Sequence, residues 1–456
     1  MTTDRTLAEN HVLQGHESEL LLGWDAEDAV HSPFGFAPQA KRVRRSASRP
    51  FLYNGDSHLM TVAPTGAGKG RGVIIPNLLH YKGPTITVDP KGENYQVTAR
   101  RRQELGQRVV VLDPFHIVTD KSDQLNPMDI FDLDKSILDC DAEMLASLLS
   151  VGHHFRDDPF WSDSASALMA GLIAHIATAV PKEERTLNKL RSYIYHDDMD
   201  YAIAVMLDKD EVTNKMARDE MVAYLAHPSE RTRPSVRSTA STYVKVLGST
   251  EVSETLGTSS FDLQDVVDGK PISIYIVIPP EKLDSHRALL RLWVSTLLTA
   301  IISRRQIPRQ RTLFLLDECA QLGSLPALKQ AITLLRGYGL QIWSFWQDLS
   351  QLRSLYPDDW QTVINNSAVL QTFGVANHLM AREWSEVLNR DPEELQELDP
   401  QDGFVFMQGH GCQRCRRPDY LNDPVFASQF ELNERFALLA SRERDKKSSG
   451  PDPGLR

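Results

Sequence analysis

The stretch that decides the fold is APTGAGKG at residues 63–70, which joins an apolar run at residues 58–63 to a helical pattern that begins at residue 70. A glycine-rich loop between a strand and a helix directs several backbone N–H groups at one point, and the dipole of the helix favours an anion there. Gly66 and Gly68 supply the backbone freedom for this turn, and the Lys69 ammonium can reach terminal phosphates. The stretch therefore predicts a phosphate-binding loop for a nucleoside triphosphate.

The loop departs from the usual phosphate-loop pattern at both ends. Ala63 replaces the first glycine, and Gly70 stands where a serine or threonine normally coordinates Mg²⁺. We therefore expect the metal to be held by another protein ligand, or mainly by phosphate oxygens and water. A glycine-rich turn with a chance lysine is the competing interpretation of the stretch taken alone. The residues predicted to contact the nucleotide, ATP, are Pro64, Thr65, Gly66, Ala67, Gly68, Lys69, Gly70, Arg71, Asp89 and Lys91.

Two carboxylates follow a second apolar run. Residues 312–316 (TLFLL) have the character of a buried strand, and Asp317 and Glu318 come directly after it. In open α/β sheets ligands bind at the carboxyl ends of the strands, so both side chains are expected to face the phosphate loop. Asp317 would hold Mg²⁺ through water, and Glu318 would orient and polarise the attacking water. An acidic pair that caps the next helix is the alternative.

Other polar residues lie at the ends of predicted strands. Asp89 and Lys91 follow the run at residues 85–88, where a site role and ordinary loop chemistry are both open. Gln347 follows the run at residues 341–346, so its amide could sense the γ-phosphate. A polar start to the next helix is the alternative for Gln347.

Arg336 precedes the strand predicted at residues 341–345, at an edge of the sheet where a neighbouring subunit could approach. An arginine inserted from a neighbour stabilises the charge that develops in phosphoryl transfer. A lone arginine is, however, commonly a surface salt-bridge partner. With this residue included, the predicted catalytic set is Lys69, Asp317, Glu318, Arg336 and Gln347.

Short β-branched runs alternate with helical stretches on both sides of the chain's middle. This alternation predicts an α/β fold with a mostly parallel sheet that helices cover on both faces. Between residues 131 and 258 helical periodicity appears without a convincing strand, which indicates an inserted all-α domain. The predicted strands are residues 58–63, 85–88, 108–112, 272–278, 312–316, 341–345, 368–373 and 404–407.

The chain divides into four parts on this interpretation. Residues 1–50 form a polar arm or small appendage that ends in a basic run at residues 41–45, and residues 441–456 form a charged, disordered tail. Residues 131–258 form the all-α domain. The nucleotide-binding domain consists of residues 51–130 and 259–440.

Bulk composition limits the function classes. The 50 basic and 61 acidic residues among 456 give a formal charge of −11, so any contact with a polynucleotide must be local. Four scattered cysteines do not make a disulfide framework, which fits a reducing cytoplasm. No apolar run reaches the length of about 20 residues that a membrane span needs. We expect a cytoplasmic protein that reaches the inner membrane only by recruitment.

Several segments together resemble the TraG-type coupling-protein ATPases of conjugation and type IV secretion. They extend over roughly residues 55–409. The segments are residues 63–70 with 73–79 (VIIPNLL), 88–94 (VDPKGEN), 125–127 (LNP), 315–323 (LLDECAQLG), 336–339 (RGYG) and 346–352 (WQDLSQL).

The resemblance implies a RecA-like P-loop NTPase with an inserted all-α domain, assembled as a hexameric ring with ATP and Mg²⁺ at the subunit interfaces. It implies that Arg336 is the arginine finger on a neighbour's nucleotide and that Gln347 senses the state of the nucleotide. It also implies a DNA or nucleoprotein substrate, with type IV secretion or relaxosome components as partners. Membrane-anchored relatives carry N-terminal transmembrane helices, and none is predicted here.

Two other functions stay open at this point. A soluble adaptor or sensor that binds nucleotide with little turnover would suit Gly70 and the lack of an anchor. A small-molecule P-loop kinase fits less well, because the inserted helical domain is not a recognisable substrate lid.

Three further motifs have ordinary explanations. Cys412 and Cys415 with His410 offer three zinc ligands where a structural site needs four, so an edge turn is favoured. The pair at residues 153–154 lacks a partner at ligand spacing. A basic stretch in the helical region could touch DNA, although a solvated helix face is more common. It consists of Arg231, Arg233, Arg237 and Lys245.

Overall fold

A computed structural model of the chain describes residues 12–25, 49–150 and 159–433. The strands in these ranges form a single eleven-stranded sheet in the order β2-β1-β11-β10-β9-β3-β8-β7-β4-β6-β5. They are β1 Leu20–Asp25, β2 Pro50–Tyr53, β3 His58–Val62, β4 Thr85–Val88, β5 Arg108–Leu112, β6 Ile272–Ile276, β7 Thr312–Leu316, β8 Leu340–Trp346, β9 Ser367–Phe373, β10 Asp402–Met407 and β11 Gly411–Arg416.

Strands β9 to β5 in this order are parallel to one another, and β10, β11, β1 and β2 continue the sheet in antiparallel pairing. Every residue of β3, β4, β6, β7, β8 and β9 is buried. Continuous apolar runs of this kind are typical of parallel strands covered on both faces. The predicted α/β class with a mostly parallel sheet agrees with this architecture.

Helices cover both faces of the sheet. None of those within the described ranges combines the length and apolar character that a bilayer crossing requires. A π-helical turn, Gly70–Ile74, leads into α1. The α-helices are α1 Ile75–His80, α2 Glu93–Glu104, α3 Leu138–Ser150, α4 Pro159–Ala179, α5 Leu187–Ile194, α6 Met199–Asp208, α7 Lys215–Ala226, α8 Thr232–Tyr243, α9 Thr250–Thr255, α10 Leu263–Val267, α11 Pro280–Ile302, α12 Pro326–Leu334, α13 Leu349–Leu355, α14 Trp360–Asn365, α15 His378–Leu388 and α16 Pro392–Gln396.

The chain between β5 and β6 contains only helices in its described part, as the periodicity predicts. Helix α4 lies at the centre of this region and contacts α3, α7 and α8. Its apolar residues belong to the same buried cluster as β4, β6 and one face of β7. The assignment of residues 131–258 as a separate domain stays a prediction.

The N-terminal segment differs from the predicted arm. Its described residues include β1, which pairs with β11 from the other end of the chain, and Leu21 and Leu22 are fully buried. The Asn77 amide holds the backbone of Leu21 through hydrogen bonds of 2.8 and 2.9 Å. This segment is therefore part of the sheet. The basic run at residues 41–45, the histidine pair at 153–154 and the tail at 441–456 lie outside the described residues.

A buried arginine fixes the end of the helix that follows the phosphate loop. Arg102 on α2 has no exposed surface, and its guanidinium donates to the carbonyl oxygens of Leu78, Tyr81 and Gly83 and to the Ser273 hydroxyl. The carbonyls at a helix end have no partner within the helix. Arg102 satisfies them and joins α1 to the start of β4.

Arg102→Met keeps the volume of the side chain and removes every one of these donors. Because buried carbonyls are then left unpaired, we expect the free energy of unfolding to fall by about 3 kcal/mol. Urea denaturation followed by tryptophan fluorescence measures the change. Arg218→Met is the control, since Arg218 on α7 makes an exposed pair with Asp210, and it should cost less than about 1 kcal/mol. Equal losses in the two variants would contradict the anchoring role of Arg102.

Candidate nucleotide-binding site

The order of the parallel strands brings the predicted site residues to one edge of the sheet. Strands β3, β8, β7 and β4 are neighbours, and their carboxyl ends lie side by side. The phosphate loop follows β3, Gln347 follows β8, Asp317 and Glu318 follow β7, and Asp89 follows β4. These four chain segments are far apart in sequence, and the sheet alone places them together.

The backbone of the loop has the form of an anion nest. Gly66 and Gly68 have φ angles of +82° and +92°, and Lys69 then adopts the right-handed helical conformation with φ −49° and ψ −54°. Alternation of this kind turns successive N–H groups to one side. Thr65 and Gly66 are exposed at the crown of the loop, while Lys69 is buried. The sequence-based interpretation as a phosphate loop fits this geometry.

Lys69 turns back across the loop. Its Nζ donates to the Ala63 carbonyl oxygen at 2.8 Å and lies 3.9 Å from Oε1 of Glu318. Burial lowers the pKa of Lys69, and the charges of Glu318 and Asp317 partly offset that effect. The ammonium is therefore held at the mouth of the loop by acceptors that a phosphate could replace.

Glu318 and Gln347 are in direct contact. Nε2 of Gln347 donates to Oε2 of Glu318 at 2.8 Å. Glu318 has a left-handed backbone, φ 58° and ψ 54°, which is uncommon for a residue other than glycine and is often found at functional sites. It also precedes a 3₁₀ turn, Cys319–Leu322, without making a side-chain cap hydrogen bond. The alternative of a helix-capping role for Glu318 therefore fails.

Asp317 and Asp89 form an acidic pair at the edge of the site, in which Asp89 is buried and Asp317 is partly buried. Burial and the neighbouring Glu318 raise the pKa of Asp317 to about 6, and burial raises the pKa of Asp89 to about 7. Asp89 accepts hydrogen bonds from the Tyr95 N–H at 2.9 Å and from the Asn94 amide at 3.2 Å. Like charges at low dielectric disfavour ionisation, and a nearby cation would reverse this.

These carboxylates fit a magnesium ion that keeps much of its water. Mg²⁺ prefers carboxylate oxygens and commonly binds through one or two of them together with water and substrate phosphates. The described part of the chain has no group of three or more His, Cys, Asp or Glu side chains that could enclose a metal. The donor set thus agrees with the expectation that follows from Gly70. Lys91 is exposed beside the site, and its charge acts on Asp317 and Lys69.

Arg336 lies at the opposite edge of the sheet. It sits in the 3₁₀ turn Leu335–Tyr338, directly before β8, and its Nη2 is 2.5 Å from Oδ1 of Asp56. Asp56 likewise precedes β3, so both residues belong to the amino edge of the parallel strands. The guanidinium is 58% exposed. Within the single chain Arg336 therefore does not contact the phosphate loop, and it makes a surface salt bridge with Asp56.

Arg71 pairs with a residue near the other end of the chain. Its guanidinium makes two hydrogen bonds to the Asp419 carboxylate, at 2.7 and 2.6 Å. A bidentate pair of this kind restrains the geometry of the side chain. The predicted contact between Arg71 and nucleotide stays a prediction.

Sequence reasoning missed one residue that touches the loop. Nη1 of Arg417, just after β11, donates to the Ala67 carbonyl oxygen. No motif marks this position, because the contact joins residues 350 positions apart through an antiparallel strand. Only the pairing of β10 with β11, at the far side of β9, brings it there.

The motifs given ordinary explanations have structural roles. The predicted turn is present at residues 408–410, and the two cysteines lie in β11, which follows it. Cys412 and Cys415 pack in different hydrophobic clusters, on opposite faces of the sheet, so they cannot share a metal. In the basic stretch, Arg233 pairs with Asp200 at 2.9 Å and Arg237 donates to three backbone carbonyls, which leaves Arg231 and Lys245 as its exposed members.

Comparison with known proteins gives relatives over most of the chain. The family described as type IV secretory system conjugative DNA transfer matches residues 35–390. A conjugal transfer protein TraG of Escherichia coli is 27% identical over 323 residues, 66% of this chain and 50% of the relative. A type IV secretion system-coupling protein VirD4 of Bartonella henselae is 24% identical over 450 residues, 89% of this chain and 70% of the relative. The chain spans about half the length of the TraG relatives it matches.

Solved structures of the plasmid coupling protein TrwB have the same fold. The complex with a non-hydrolysable ATP analogue superposes with a TM-score of 0.62 at 17% identity, covering 82% of this chain and 87% of TrwB. The complex with a non-hydrolysable GTP analogue gives 0.60 at 18% identity, covering 80% and 86%. These likenesses confirm the predicted RecA-like fold. Together with the family match, they confirm the resemblance found in the sequence, and the chain belongs to the type IV secretory system conjugative DNA transfer family, that of the TraG and VirD4 coupling proteins.

Proposed function

We propose that this protein is an ATP-hydrolysing motor that transfers DNA or nucleoprotein as a ring of subunits, and that the hydrolysis takes place at its own phosphate loop. The observation that carries the proposal is the contact chain Lys69–Glu318–Gln347 at the mouth of that loop. Support comes from relatives named for conjugal transfer and type IV secretion coupling, and from TrwB, which was solved with ADP and Mg²⁺.

The residues take distinct roles in the proposed hydrolysis. The loop amides bind the phosphates, and Lys69 leaves the Ala63 carbonyl to pair with the β- and γ-phosphates. Glu318 orients the attacking water, while Gln347 holds the glutamate and reports whether the γ-phosphate is present. Asp317 and Asp89 would hold Mg²⁺ together with water and phosphate oxygens, and the metal supplies positive charge to the transferred group.

Arg336 completes the site of a neighbouring subunit in this proposal. It is exposed at the amino edge, and only a second subunit can bring a phosphate to it. The Asp56 carboxylate holds its guanidinium until then. A ring, for which we propose six subunits, places the amino edge of one subunit against the nucleotide of the next. Type IV secretion or relaxosome components would bring this ring to the cytoplasmic face of the membrane.

A nucleotide-binding adaptor with little turnover is the second candidate. Gly70 cannot supply the hydroxyl that usually binds Mg²⁺, and Lys69 is occupied by a backbone carbonyl. Both features would suit a protein that binds nucleotide to recruit partners. The two candidates differ in turnover and in its response to DNA.

The purified protein should hydrolyse ATP, and DNA should accelerate the reaction. Lys69→Ala and Glu318→Gln remove groups that act on the phosphates and the water, so each should lower kcat by about a hundredfold or more. Phosphate release is measured with and without DNA. Lys82→Ala is the matched control, because Lys82 pairs with Glu17 at the surface, and its activity should equal that of the wild type. Tight ATP binding by the wild type without turnover would favour the adaptor.

Activity should be restored by mixing two inactive variants. Arg336→Ala keeps an intact phosphate loop but lacks the finger, whereas Glu318→Gln lacks its own water-activating group but presents Arg336. Mixed rings contain interfaces with both groups, so phosphate release should rise severalfold above the sum of the two variants alone. Arg305→Ala is the control. It breaks a surface pair with Asp134 and should hydrolyse ATP without being mixed with a second variant. Failure to restore activity in demonstrated mixed oligomers would place the function of Arg336 within its own subunit.

Asp317→Asn should stabilise the protein without nucleotide or Mg²⁺. The pKa of Asp317 is raised in the folded state, so its ionisation opposes folding as the pH rises from about 4 to about 6. We expect the variant to gain about 3 kcal/mol above pH 7 and nothing near pH 4. Thermal denaturation across this pH range tests the sign, with Asp358→Asn as an exposed control. A variant less stable than the wild type at pH 8 would contradict the prediction.

A further inference from the structure

The segment after β11 closes over the phosphate loop and the helix that follows it. We call residues 417–423 the C-terminal clasp. Asp419 holds Arg71 by its bidentate pair, and Asp423 accepts hydrogen bonds from the Trp24 indole at 2.7 Å and from the Asp419 N–H at 2.9 Å. The clasp thus ties the start of the helix to β1. Arg417 is the member of the clasp that reaches the loop itself.

Arg417 is packed closely against the outside of the loop. Its guanidinium lies 5.2 Å from the centre of the Phe373 ring, and Nη1 donates to the Ala67 carbonyl oxygen. A Cβ atom added at Gly68 would overlap the guanidinium, and one added at Gly72 would overlap the stem of the same side chain. Both glycines therefore leave the room that this arginine occupies.

The position of the Arg417 side chain is not explained by its own hydrogen bonding. Its Nε is buried and has no hydrogen-bond partner. A buried donor without a partner costs folding free energy. The guanidinium thus makes its one hydrogen bond, to Ala67, although its burial costs folding free energy. The benefit of that bond must lie in its effect on the loop.

The peptide group between Ala67 and Gly68 connects the arginine to the nucleotide. In a trans peptide the carbonyl oxygen and the N–H point in opposite directions. A donor that fixes the Ala67 oxygen on the outside of the loop therefore fixes the Gly68 N–H toward the inside, where phosphates bind. Gly68 has positive φ and no side chain, so without such a restraint this peptide could rotate at little steric cost.

We propose that Arg417 is a positioning residue of the same subunit, which preorganises the Gly68 amide for the phosphates of the nucleotide. The inference rests on the proposed function, because it assumes that the loop binds nucleotide. The amides of a phosphate loop contact the inner phosphates, so the arginine should affect ADP and ATP alike. It acts through the loop backbone and does not touch the γ-phosphate.

Arg417→Gln tests the proposal by equilibrium binding of fluorescent ADP and ATP. The dissociation constants of both nucleotides should rise about tenfold, which corresponds to the loss of one oriented donor. In steady-state hydrolysis KM should rise by a similar factor, while kcat at saturating ATP should stay within about threefold of the wild type. Arg417→Lys retains one donor and should recover part of the affinity.

Gly72→Ala is a second variant, in which Arg417 is not mutated. The added methyl group displaces the stem of Arg417, while alanine is a better helix former than glycine. Weaker binding of ADP and ATP in this variant, without loss of thermal stability, would support the same restraint. Arg414→Gln is the matched control, because Arg414 in β11 pairs with Asp402 at the surface, and it should bind nucleotide like the wild type.

The outcomes separate this inference from the proposed function. If the wild type binds neither nucleotide, both fail. If the wild type binds and folded Arg417→Gln binds equally well, only the inference is overturned. A loss of affinity for ATP with ADP unchanged would also overturn it, since that pattern indicates direct contact with the γ-phosphate.

Discussion

The position of β3 between β8 and β9 is the constraint on which the site depends, and a buried hydroxyl holds it there. The Thr61 hydroxyl donates to Oε1 of Gln371 on β9 at 2.9 Å and accepts from the Trp343 indole on β8 at 2.8 Å. Gln371 also donates to the Leu22 carbonyl of β1. Polar groups buried in this way must be fully paired, and their geometry specifies one register. That register aligns the carboxyl end of β3, where the phosphate loop begins, with the ends of the strands that carry Gln347 and Glu318.

Three charged groups of the site lie in surroundings that disfavour their charges, and a bound nucleotide with Mg²⁺ would offset this effect. Burial lowers the pKa of Lys69 and raises those of Asp317 and Asp89, so each group is held in surroundings that disfavour its charge. Replacing such groups by neutral ones commonly stabilises an enzyme and removes its function. The Lys69 ammonium donates to a backbone carbonyl, and the Glu318 carboxylate accepts from the Gln347 amide. A triphosphate with Mg²⁺ would supply the opposite charges at the same place, which couples binding to rearrangement of these contacts.

Sequence reasoning reached the parallel part of the sheet and the residues at its carboxyl edge, because both are encoded locally. A buried parallel strand is an apolar run, and the chemistry follows it within two residues, as Asp317 follows β7. In the antiparallel part only β10 was predicted, and β1, β2 and β11 were missed for the opposite reason. Strand β1 is recognisable only through its pairing with β11, and the partners of Arg71 and Ala67 lie about 350 residues away. Hydrophobic periodicity contains no information on such pairs, so neither the pairing of residues 20–25 in the sheet nor the Asp419 partner of Arg71 was predicted.

Strand β8 connects the two edges of the sheet, and in the proposed ring each edge would face a different nucleotide. Strand β8 begins after the turn that carries Arg336 and ends directly before Gln347, and its seven buried residues span about 23 Å. Arg304 fixes that turn, since it donates to the Tyr338 carbonyl at 3.0 Å and to the Thr312 hydroxyl of β7 at 2.7 Å. A buried strand between packed neighbours moves as a unit. In the proposed ring, displacement of Arg336 by a neighbour's phosphate would therefore be transmitted through β8 to Gln347 and Glu318. The nucleotide state of one subunit could affect the site of the next in this way.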